Sequence, residues 1–178
     1  IHVEGRVNHV SDKESIDMEL QLKDWESIDK KIGKIERAAK AGDAKAKQEF
    51  AALQEFKKTL EEGKSARTVV MDGDLREVAI GDLCLLTDKP VIYVANVDEA
   101  SLTAGGNSLV DTLRANVAAE QAEVIVVCAA LEAQISEMED PDDKALFMEE
   151  YQMKEPALNR LIQTAYKLLK LETYFTAG

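Results

Sequence analysis

The stretch KPVIYVANVDEA, residues 89–100, decides the fold class of this 178-residue chain. An apolar, β-rich run over residues 91–95 is followed at once by the polar residues Asn96, Asp98 and Glu99. Short apolar runs of this kind are typical of parallel strands that are buried on both faces. Ligands of open α/β sheets bind outside the carboxyl ends of such strands. The stretch therefore predicts a buried parallel strand whose polar end belongs to a binding site.

The elements on either side of this strand predict an α/β fold with an inserted helical hairpin. Apolar residues at helical spacing from Met18 to Ala39 predict a long helix, for which Ser11-Asp12 is the expected N-cap. A short turn at residues 41–43 leads into a second helix, so the two must lie antiparallel. Further strands are predicted within residues 122–130 and 172–178. Three strands are too few for a usual sheet, so more strands are expected before Ile1.

The chain is acidic as a whole, but one segment of it is basic. The net charge is −12 and the sequence pI is about 4.7, which argues against a general polyanion-binding surface. The hairpin nevertheless carries a group of basic residues: Lys30, Lys31, Lys34, Arg37, Lys40, Lys45 and Lys47. Such a group is suited to contact with a phosphate backbone, although exposed mixed charge is usually only solvated. Nucleic-acid contact and simple solvation both stay open.

The two cysteines and the hydropathy pattern exclude several classes of protein. Cys84 and Cys128 lie far apart without the spacing of metal ligands, so both are expected to be small buried residues in a reduced, cytoplasmic setting. No metal site is expected in the chain. No apolar run approaches the length that crosses a bilayer, so no membrane partner is expected.

The polar residues after the predicted strands resemble a purine-reading site. An Asn amide can hold such a turn together and contact a base, and a carboxylate three residues later can accept two N–H bonds, as in the Asn-Lys-x-Asp motif of GTPases. Here Val97 replaces the lysine, and Glu99 replaces the aspartate with an arm one methylene longer, so guanine reading should be impaired. The second strand leads into Cys128-Ala129-Ala130, which is expected to close the base pocket. An ordinary polar turn after a strand is the alternative interpretation.

Several stretches together resemble the YchF, or Obg-like ATPase, family: IHVEGRV, ESIDMELQLKDWESIDKKI, LEEGKSAR, LLTDKPVIYVANVDE, CAALEAQISEM and LNRLIQTAYKLLKLETYFTAG. The resemblance implies a nucleotide domain of GTPase fold that is interrupted by a coiled-coil helical hairpin. It also implies ATP binding and hydrolysis with Mg²⁺, and association with ribosomes. Asn96, Val97 and Glu99 match the altered base motif of the family, in which the main chain of the residue after the Asn contacts adenine.

The resemblance covers the middle of such a protein, and this determines which functions are expected of the chain. Residues 1–22 are expected to belong to the nucleotide-binding domain, residues 23–85 to the hairpin insertion, and residues 86–178 to the C-terminal half of the domain. No G-x-x-x-x-G-K-[ST] motif occurs, so the P-loop, the switch regions and the Mg²⁺ ligands are expected upstream of Ile1, and a TGS domain is expected after Gly178. No catalytic residue is expected in the chain, which alone should be inactive. The alternatives are a GTP-binding, translation-associated GTPase, or a non-catalytic hairpin module that binds RNA or the ribosome.

Overall fold

The structure is a computed structural model that describes residues 9–120 and 122–175. The stretch IHVEGRV lies outside these residues. The described part contains two strands, β1 (Ile92–Asn96) and β2 (Glu123–Val127), and two 3₁₀ turns, Ala66–Thr68 and Ala118–Glu120. Its α-helices are α1 (His9–Lys40), α2 (Ala44–Glu61), α3 (Gly73–Ile80), α4 (Glu99–Thr103), α5 (Ser108–Val117), α6 (Ala129–Glu137), α7 (Pro141–Glu150) and α8 (Ala157–Leu168).

The chain divides into two compact units, Ile1–Lys89 and Pro90–Gly178. The first unit holds the helices α1 to α3, and the second holds both strands and the remaining helices. The predicted boundaries at residues 22/23 and 85/86 are boundaries within a longer protein, and they stay a prediction. No helix within residues 9–120 and 122–175 is long and apolar enough to cross a membrane.

Helices α1 and α2 form the main layer of the first unit and run in opposite directions. Gln21 Nε2 donates to the Gly63 carbonyl at 3.0 Å, and Trp25 Nε1 donates to Glu61 Oε1 at 2.9 Å, so the early part of α1 lies beside the end of α2. The turn between them uses Gly42 at φ +101°, a left-handed conformation that suits glycine. Asp43 then caps α2, because its carboxylate accepts hydrogen bonds from the backbone N–H groups of Lys45 and Ala46. A coiled-coil geometry for this pair stays a prediction.

The start of α1 differs from the predicted one. The helix begins at His9, so Ser11 and Asp12 lie inside its first turns instead of capping it. Ser11 keeps a local role, because its carbonyl accepts a hydrogen bond from the Ser15 hydroxyl at 2.9 Å. The apolar stripe starts further along the chain and could not mark this early beginning.

The core of the first unit is built from apolar residues that the helical spacing predicts. Ile28, Leu53 and Phe56 are fully buried, and they pack together with Leu60 and Ile32. Helix α3 and the segments that flank it close the other side of this core. Because a buried side chain of this size contributes about 1.5–3 kcal/mol, these contacts dominate the stability of the unit.

A buried aspartate joins α1 to the segment that follows α3. Asp24 is 2% exposed, and its carboxylate accepts hydrogen bonds from the Leu86 N–H (2.7 Å), the Thr87 N–H (2.7 Å) and the Thr87 hydroxyl (2.6 Å). The Thr87 hydroxyl oxygen in turn accepts a bond from the Ala66 N–H at 2.9 Å. Two irregular segments are therefore fixed to one helix through a single carboxylate.

The second unit contains a parallel two-stranded sheet, as an α/β fold requires. Strand β1 pairs with β2 in a register that opposes Ile92 to Glu123 and Asn96 to Val127. Helices α4 and α5 connect the strands, and α8 packs against β2. Arg160 of α8 donates from Nη2 to the Val126 carbonyl at 2.7 Å.

Three further sequence predictions about local structure were wrong. Residues 172–175 form no strand, because no neighbouring strand in the described residues pairs with them. The β1 strand is not buried on both faces, because Val94 is 51% exposed. Cys84 is exposed at φ +49° instead of buried, whereas Cys128 is buried as expected.

Candidate functional site

The two strand ends lie side by side at one edge of the sheet. Because β1 and β2 are parallel and in register, Asn96 stands opposite Val127 and the residues after both strands emerge together. The Val97 N–H donates to the Val127 carbonyl at 2.8 Å, which extends the pairing one residue past β1. The structure therefore brings together the two predicted groups of site residues.

A side-chain hydrogen bond from Asn96 joins the two groups directly. Asn96 Oδ1 accepts from the backbone N–H of Ala129 at 3.0 Å. Ala129 is the first residue of α6, and Cys128, in the N-cap position, makes no side-chain capping bond. Asn96 thus satisfies one of the free N–H groups that every helix start exposes. Its exposed amide –NH₂ donates no hydrogen bond within the described residues, which leaves two donors for a ligand.

The two acidic residues after β1 differ in their contacts, since one caps a helix and the other does not. The Asp98 carboxylate accepts from the Ser101 N–H at 2.7 Å and caps α4, and the bonds from the Ser101 hydroxyl and N–H hold the pKa of Asp98 below its usual range. Glu99, the first residue of α4, is exposed, and its carboxylate has no hydrogen bond or ion pair in the part of the chain that the structure describes. Only Glu99 is therefore available to a ligand.

The second group presents mainly backbone to the site. Cys128 is buried, and its carbonyl accepts the Glu132 N–H at 3.0 Å. Ala129 and Ala130 are exposed in the first turn of α6. Two small side chains at this position leave room for a flat ligand against the backbone. The Cys128 side chain is 3% exposed, so this residue offers the site its backbone.

An apolar groove adjoins the strand ends. Its volume is about 280 Å³, and it is lined chiefly by Val94, Val127 and Ala129 with Leu158 and Leu161 of α8. The Glu132 side chain stands at its rim, where Oε1 accepts the Ala157 N–H at 2.8 Å. The site thus combines an apolar wall with a few polar groups, as small-molecule sites usually do.

The hydroxyl group of Tyr151, a residue that no sequence motif indicated, responds to the charge of Glu99. Tyr151 follows α7, is half-buried, and its ring lies 4.9 Å from that of Phe147. The Glu99 charge raises the pKa of the Tyr151 hydroxyl, with smaller contributions from burial and from Glu150 and Cys128. An aromatic residue at the end of an acidic helix gives no sequence signal for such a position, because the approach depends on the packing of α6 and α7.

The basic residues of the hairpin form a second candidate surface, within the first unit. Lys31 already has partners within the protein, because its ammonium group contacts Glu49 at 3.0 Å and Asp82 at 2.6 Å. Burial lowers the pKa of Lys31, but the two carboxylates outweigh this effect, so the pKa is raised. Lys40 pairs with Glu36 at 2.7 Å. The remaining members that are exposed and without an ion pair among the described residues are Lys30, Lys34, Arg37, Lys45 and Lys47.

The described residues do not fit a resident metal ion. Within residues 9–120 and 122–175 no three His, Cys, Asp or Glu side chains come together as a metal site. An exposed Asn, a free Glu and backbone groups at a sheet edge are instead suited to an uncharged ring with hydrogen-bonding edges.

Comparison with known proteins gives relatives over the whole chain. The Ribosome-binding ATPase YchF of Bacillus subtilis (strain 168) is 42% identical over 178 residues, which are 99% of this chain and 48% of that protein. The protein of the same name from Escherichia coli O157:H7 is 41% identical, over 100% of this chain and 48% of its own length. Obg-like ATPase 1 of Xenopus laevis is 33% identical over 182 residues, with 100% and 46% covered. The chain spans about half the length of these curated relatives.

A solved structure supports the same relationship. The Schizosaccharomyces pombe YchF GTPase superposes with a TM-score of 0.86 at 26% identity, covering 100% of this chain and 48% of that one. No protein-family model matches the chain. The identity of about 40% to several YchF proteins over the full chain, together with the shared fold, confirms the resemblance found in the sequence. The chain therefore belongs to the YchF, or Obg-like ATPase, family.

Proposed function

We propose that this chain carries the base-recognising part of a cytoplasmic, ribosome-associated protein that binds and hydrolyses ATP. In this proposal residues 86–178 are the C-terminal half of a P-loop GTPase-type domain, residues 1–22 are an earlier segment of it, and residues 23–85 are its coiled-coil hairpin insertion. The observation that carries the proposal is the hydrogen bond from the Ala129 N–H to Asn96 Oδ1, which holds two strand ends together as one site.

The backbone at Val97 favours adenine over guanine. Its N–H is already used by the Val127 carbonyl, and its own carbonyl accepts no hydrogen bond from another described residue. Adenine carries an amino donor on the edge where guanine carries a carbonyl oxygen, so a free carbonyl attracts the first base and repels the second. Glu99 adds a second acceptor nearby. Asn96, Val97 and Glu99 would thus contact the base edge, and Cys128, Ala129 and Ala130 would close the pocket.

The phosphate chemistry would come from residues outside the described part of the chain. Phosphoryl transfer depends on a phosphate-binding loop and Mg²⁺, which positions the phosphates and neutralises their developing charge. The described residues hold no suitable group of ligands for the ion. We therefore expect the 178-residue chain alone to give no ATP turnover, and measurable hydrolysis by the purified chain would contradict this.

The base preference is tested by competition between ATP and GTP on the complete protein that carries this chain. We expect ATP to bind more tightly, and the double variant Val97→Lys/Glu99→Asp to shift the preference toward GTP by about tenfold or more. A matched control, Val70→Lys/Glu137→Asp, changes an exposed valine and an exposed glutamate away from the site and should leave the preference unchanged. A preference of the unmodified protein for GTP would refute the adenine assignment.

That GTP outcome corresponds to the second candidate function, a translation-associated GTPase. It is favoured by one observation, since the S. pombe relative that shares the fold is described as a GTPase. The two candidates differ only in the base, so the same competition experiment decides between them.

Ribosome association would use the basic hairpin surface. The B. subtilis and E. coli relatives are named ribosome-binding, and the exposed lysines near the turn between α1 and α2 are suited to contact with RNA phosphates. We expect Lys45→Glu/Lys47→Glu to weaken ribosome co-sedimentation by about tenfold and to reduce its salt dependence. The control Lys154→Glu/Lys167→Glu reverses two exposed charges of the second unit and should have little effect.

The co-sedimentation assay also tests the third candidate, a non-catalytic RNA-binding hairpin. If that candidate holds, binding will persist without nucleotide and in variants of Asn96 and Glu99. Equal binding by the Lys45/Lys47 and Lys154/Lys167 variants would instead contradict a role for the hairpin surface.

A further inference from the structure

A pocket opens on the flank of the hairpin, where α1 meets the turn that follows α3. Its volume is about 360 Å³, and all of its lining belongs to the first unit. Five of the lining residues come from α1 and two from the turn: Ser27, Lys30, Lys31, Lys34, Ile35, Asp82 and Leu83. Sites for small ligands usually measure about 300–1,000 Å³, so the space is sufficient for one small molecule or one nucleotide.

Lys31 joins the two sides of this pocket. Its ammonium group donates to Asp82 Oδ1 at 2.6 Å and to the Val78 carbonyl at 3.0 Å, and it contacts Glu49 of α2 at 3.0 Å. An ammonium group has three N–H donors, so these contacts use all of them. Because only 12% of the Lys31 side chain is exposed, this residue forms part of the wall, and any charge offered to a ligand must come from its neighbours.

Lys30 and Lys34 supply that charge. Both are exposed, and neither side chain makes an ion pair or hydrogen bond with another described residue. They stand four residues apart on one face of α1, and two like charges at this spacing repel each other. The acidic residues of α1 nearest to them are paired with other lysines: Glu26 with Lys23, Asp29 with Lys57, and Glu36 with Lys40. A phosphate group bound between Lys30 and Lys34 would replace this repulsion with attraction.

The rest of the lining is unlike a simple phosphate site. Ile35 and Leu83 are half-buried and give the pocket an apolar wall. The Asp82 side chain is 67% exposed, so its carboxylate can accept a further hydrogen bond beside the one from Lys31. A carboxylate repels phosphate, but it accepts well from the amino group of a base such as cytosine. The lining therefore fits a ligand with an anionic end, an apolar ring and an N–H edge, which are the parts of a nucleotide.

We propose that this pocket binds one unpaired nucleotide of an RNA strand. The phosphate lies between Lys30 and Lys34. The base packs against Ile35 and Leu83, with an amino group directed toward Asp82. The inference rests on the proposed function, because it gives the basic hairpin surface a specific RNA partner. Bases in a duplex are stacked and paired, so only an unpaired nucleotide presents all three parts to a protein pocket.

The test measures the binding of fluorescein-labelled oligoribonucleotides to the 178-residue chain by fluorescence anisotropy at fixed salt. Hexacytidylate and hexauridylate have the same phosphates and rings of the same size, but only cytosine carries the amino group. We expect hexacytidylate to bind about fivefold more tightly, and Asp82→Asn to remove most of this difference. The control Asp74→Asn changes an exposed aspartate of α3 without a side-chain partner among the described residues, and it should keep the difference.

A second variant fills the pocket and leaves every charge in place. Ser27 is half-buried, and its hydroxyl donates to the carbonyl of Lys23, four residues earlier, at 3.1 Å. Ser27→Leu should weaken the binding of hexacytidylate by about fivefold and leave that of a fully paired RNA duplex within about twofold. The matched control is Ser15→Leu, which should bind normally. Ser15 is exposed on the same helix outside the pocket, and its hydroxyl makes the same kind of bond, to the Ser11 carbonyl at 2.9 Å.

Backbone amide signals of the ¹⁵N-labelled chain locate the bound strand. We expect hexacytidylate to shift the signals of Ser27 and Leu83, and to leave those of Asn96 and Ala129 at the strand ends unchanged. If Ser27→Leu fails to fold, these shifts and the comparison of the two hexanucleotides in the unmodified chain still decide the question.

The outcomes separate this inference from the proposed function. Weaker RNA binding by Lys45→Glu/Lys47→Glu, with normal binding by Ser27→Leu, would overturn the pocket and keep the hairpin surface. Equal binding of hexacytidylate and hexauridylate by the unmodified chain would also overturn the pocket as an RNA site. If no oligonucleotide binds but Ser27→Leu loses ribosome co-sedimentation, the partner is a protein segment and the RNA assignment is wrong. Normal RNA binding and co-sedimentation by both variants would overturn both proposals.

Discussion

Replacing the buried aspartate of α1 should destabilise the first unit far more than replacing an exposed one. In Asp24→Ala the N–H groups of Leu86 and Thr87 lose their acceptor inside the protein. An unsatisfied buried donor costs about 1–3 kcal/mol. The Thr87 N–H is buried, whereas the Leu86 N–H is only partly buried and can reach water, so the free energy of unfolding should fall by about 2–4 kcal/mol. The Thr87 hydroxyl can rotate toward another partner, so its lost bond does not increase this change in the free energy of unfolding.

Urea unfolding followed by tryptophan fluorescence measures this loss. The single tryptophan, Trp25, adjoins Asp24 in α1 and reports on the first unit. The matched control is Asp29→Ala in the same helix, which removes a partly exposed ion pair with Lys57 (2.5 Å) and should cost at most about 1 kcal/mol. If Asp24→Ala unfolds with the same free energy as Asp29→Ala, the reasoning from buried hydrogen bonds is refuted.

Three further predictions concern single positions. Gly33 lies inside α1, where an added methyl group meets no other atom, so Gly33→Ala should raise the free energy of unfolding by about 0.5–1 kcal/mol. Gly42 has φ +101°, so Gly42→Ala should lower the free energy of unfolding by about 1 kcal/mol or more. Urea unfolding of both variants measures the two changes. Asn96→Ala should lower the thermal stability of the second unit by about 1 kcal/mol through the lost cap of α6, and calorimetry with no change in the melting of that unit would contradict this. The pKa of the Asp98 carboxyl group should lie below the usual range of an aspartate when followed by NMR, because its charged form accepts the Ser101 bonds. The stability that these bonds contribute is present above the ordinary pKa of an aspartate and is lost as the pH falls through the depressed pKa, so Ser101→Ala should move the pKa of Asp98 upward.

The sequence predicted best those features that depend on local periodicity. The apolar stripe from Met18 to Ala39 identified α1, and Gly42 with Asp43 identified the turn before α2, because turn and cap chemistry is encoded within a few residues. The strand β1 was predicted at residues 91–95, one residue before its observed position at Ile92–Asn96. The missing third strand has a different cause, since strands require a partner and residues 172–175 have none within the described residues.

The sequence identified the residues of the candidate site but not the role of each of them. The pattern selected Asn96 and Glu99, yet only the structure explains why the intervening Asp98 does not serve: its carboxylate caps α4. The buried carboxylate Asp24 and the aromatic Tyr151 were missed for a common reason. The Leu86 N–H that Asp24 binds lies 62 residues away in the chain, the Glu99 charge that acts on Tyr151 lies 52 residues away, and no periodicity connects positions so far apart.

The contact between Arg160 and Val126 determines the direction in which the sheet can grow. In a parallel pair successive residues point their backbone groups to opposite sides, so the Val126 carbonyl faces away from β1, and the guanidinium blocks that side. The opposite side of β1, where Ile92 and Val94 present their backbone groups, has no pairing strand in the described residues. The sheet therefore has one edge that is blocked, at β2, and one edge that is free to pair, at β1. Any additional strand, from the same polypeptide or from another, would join the sheet next to β1.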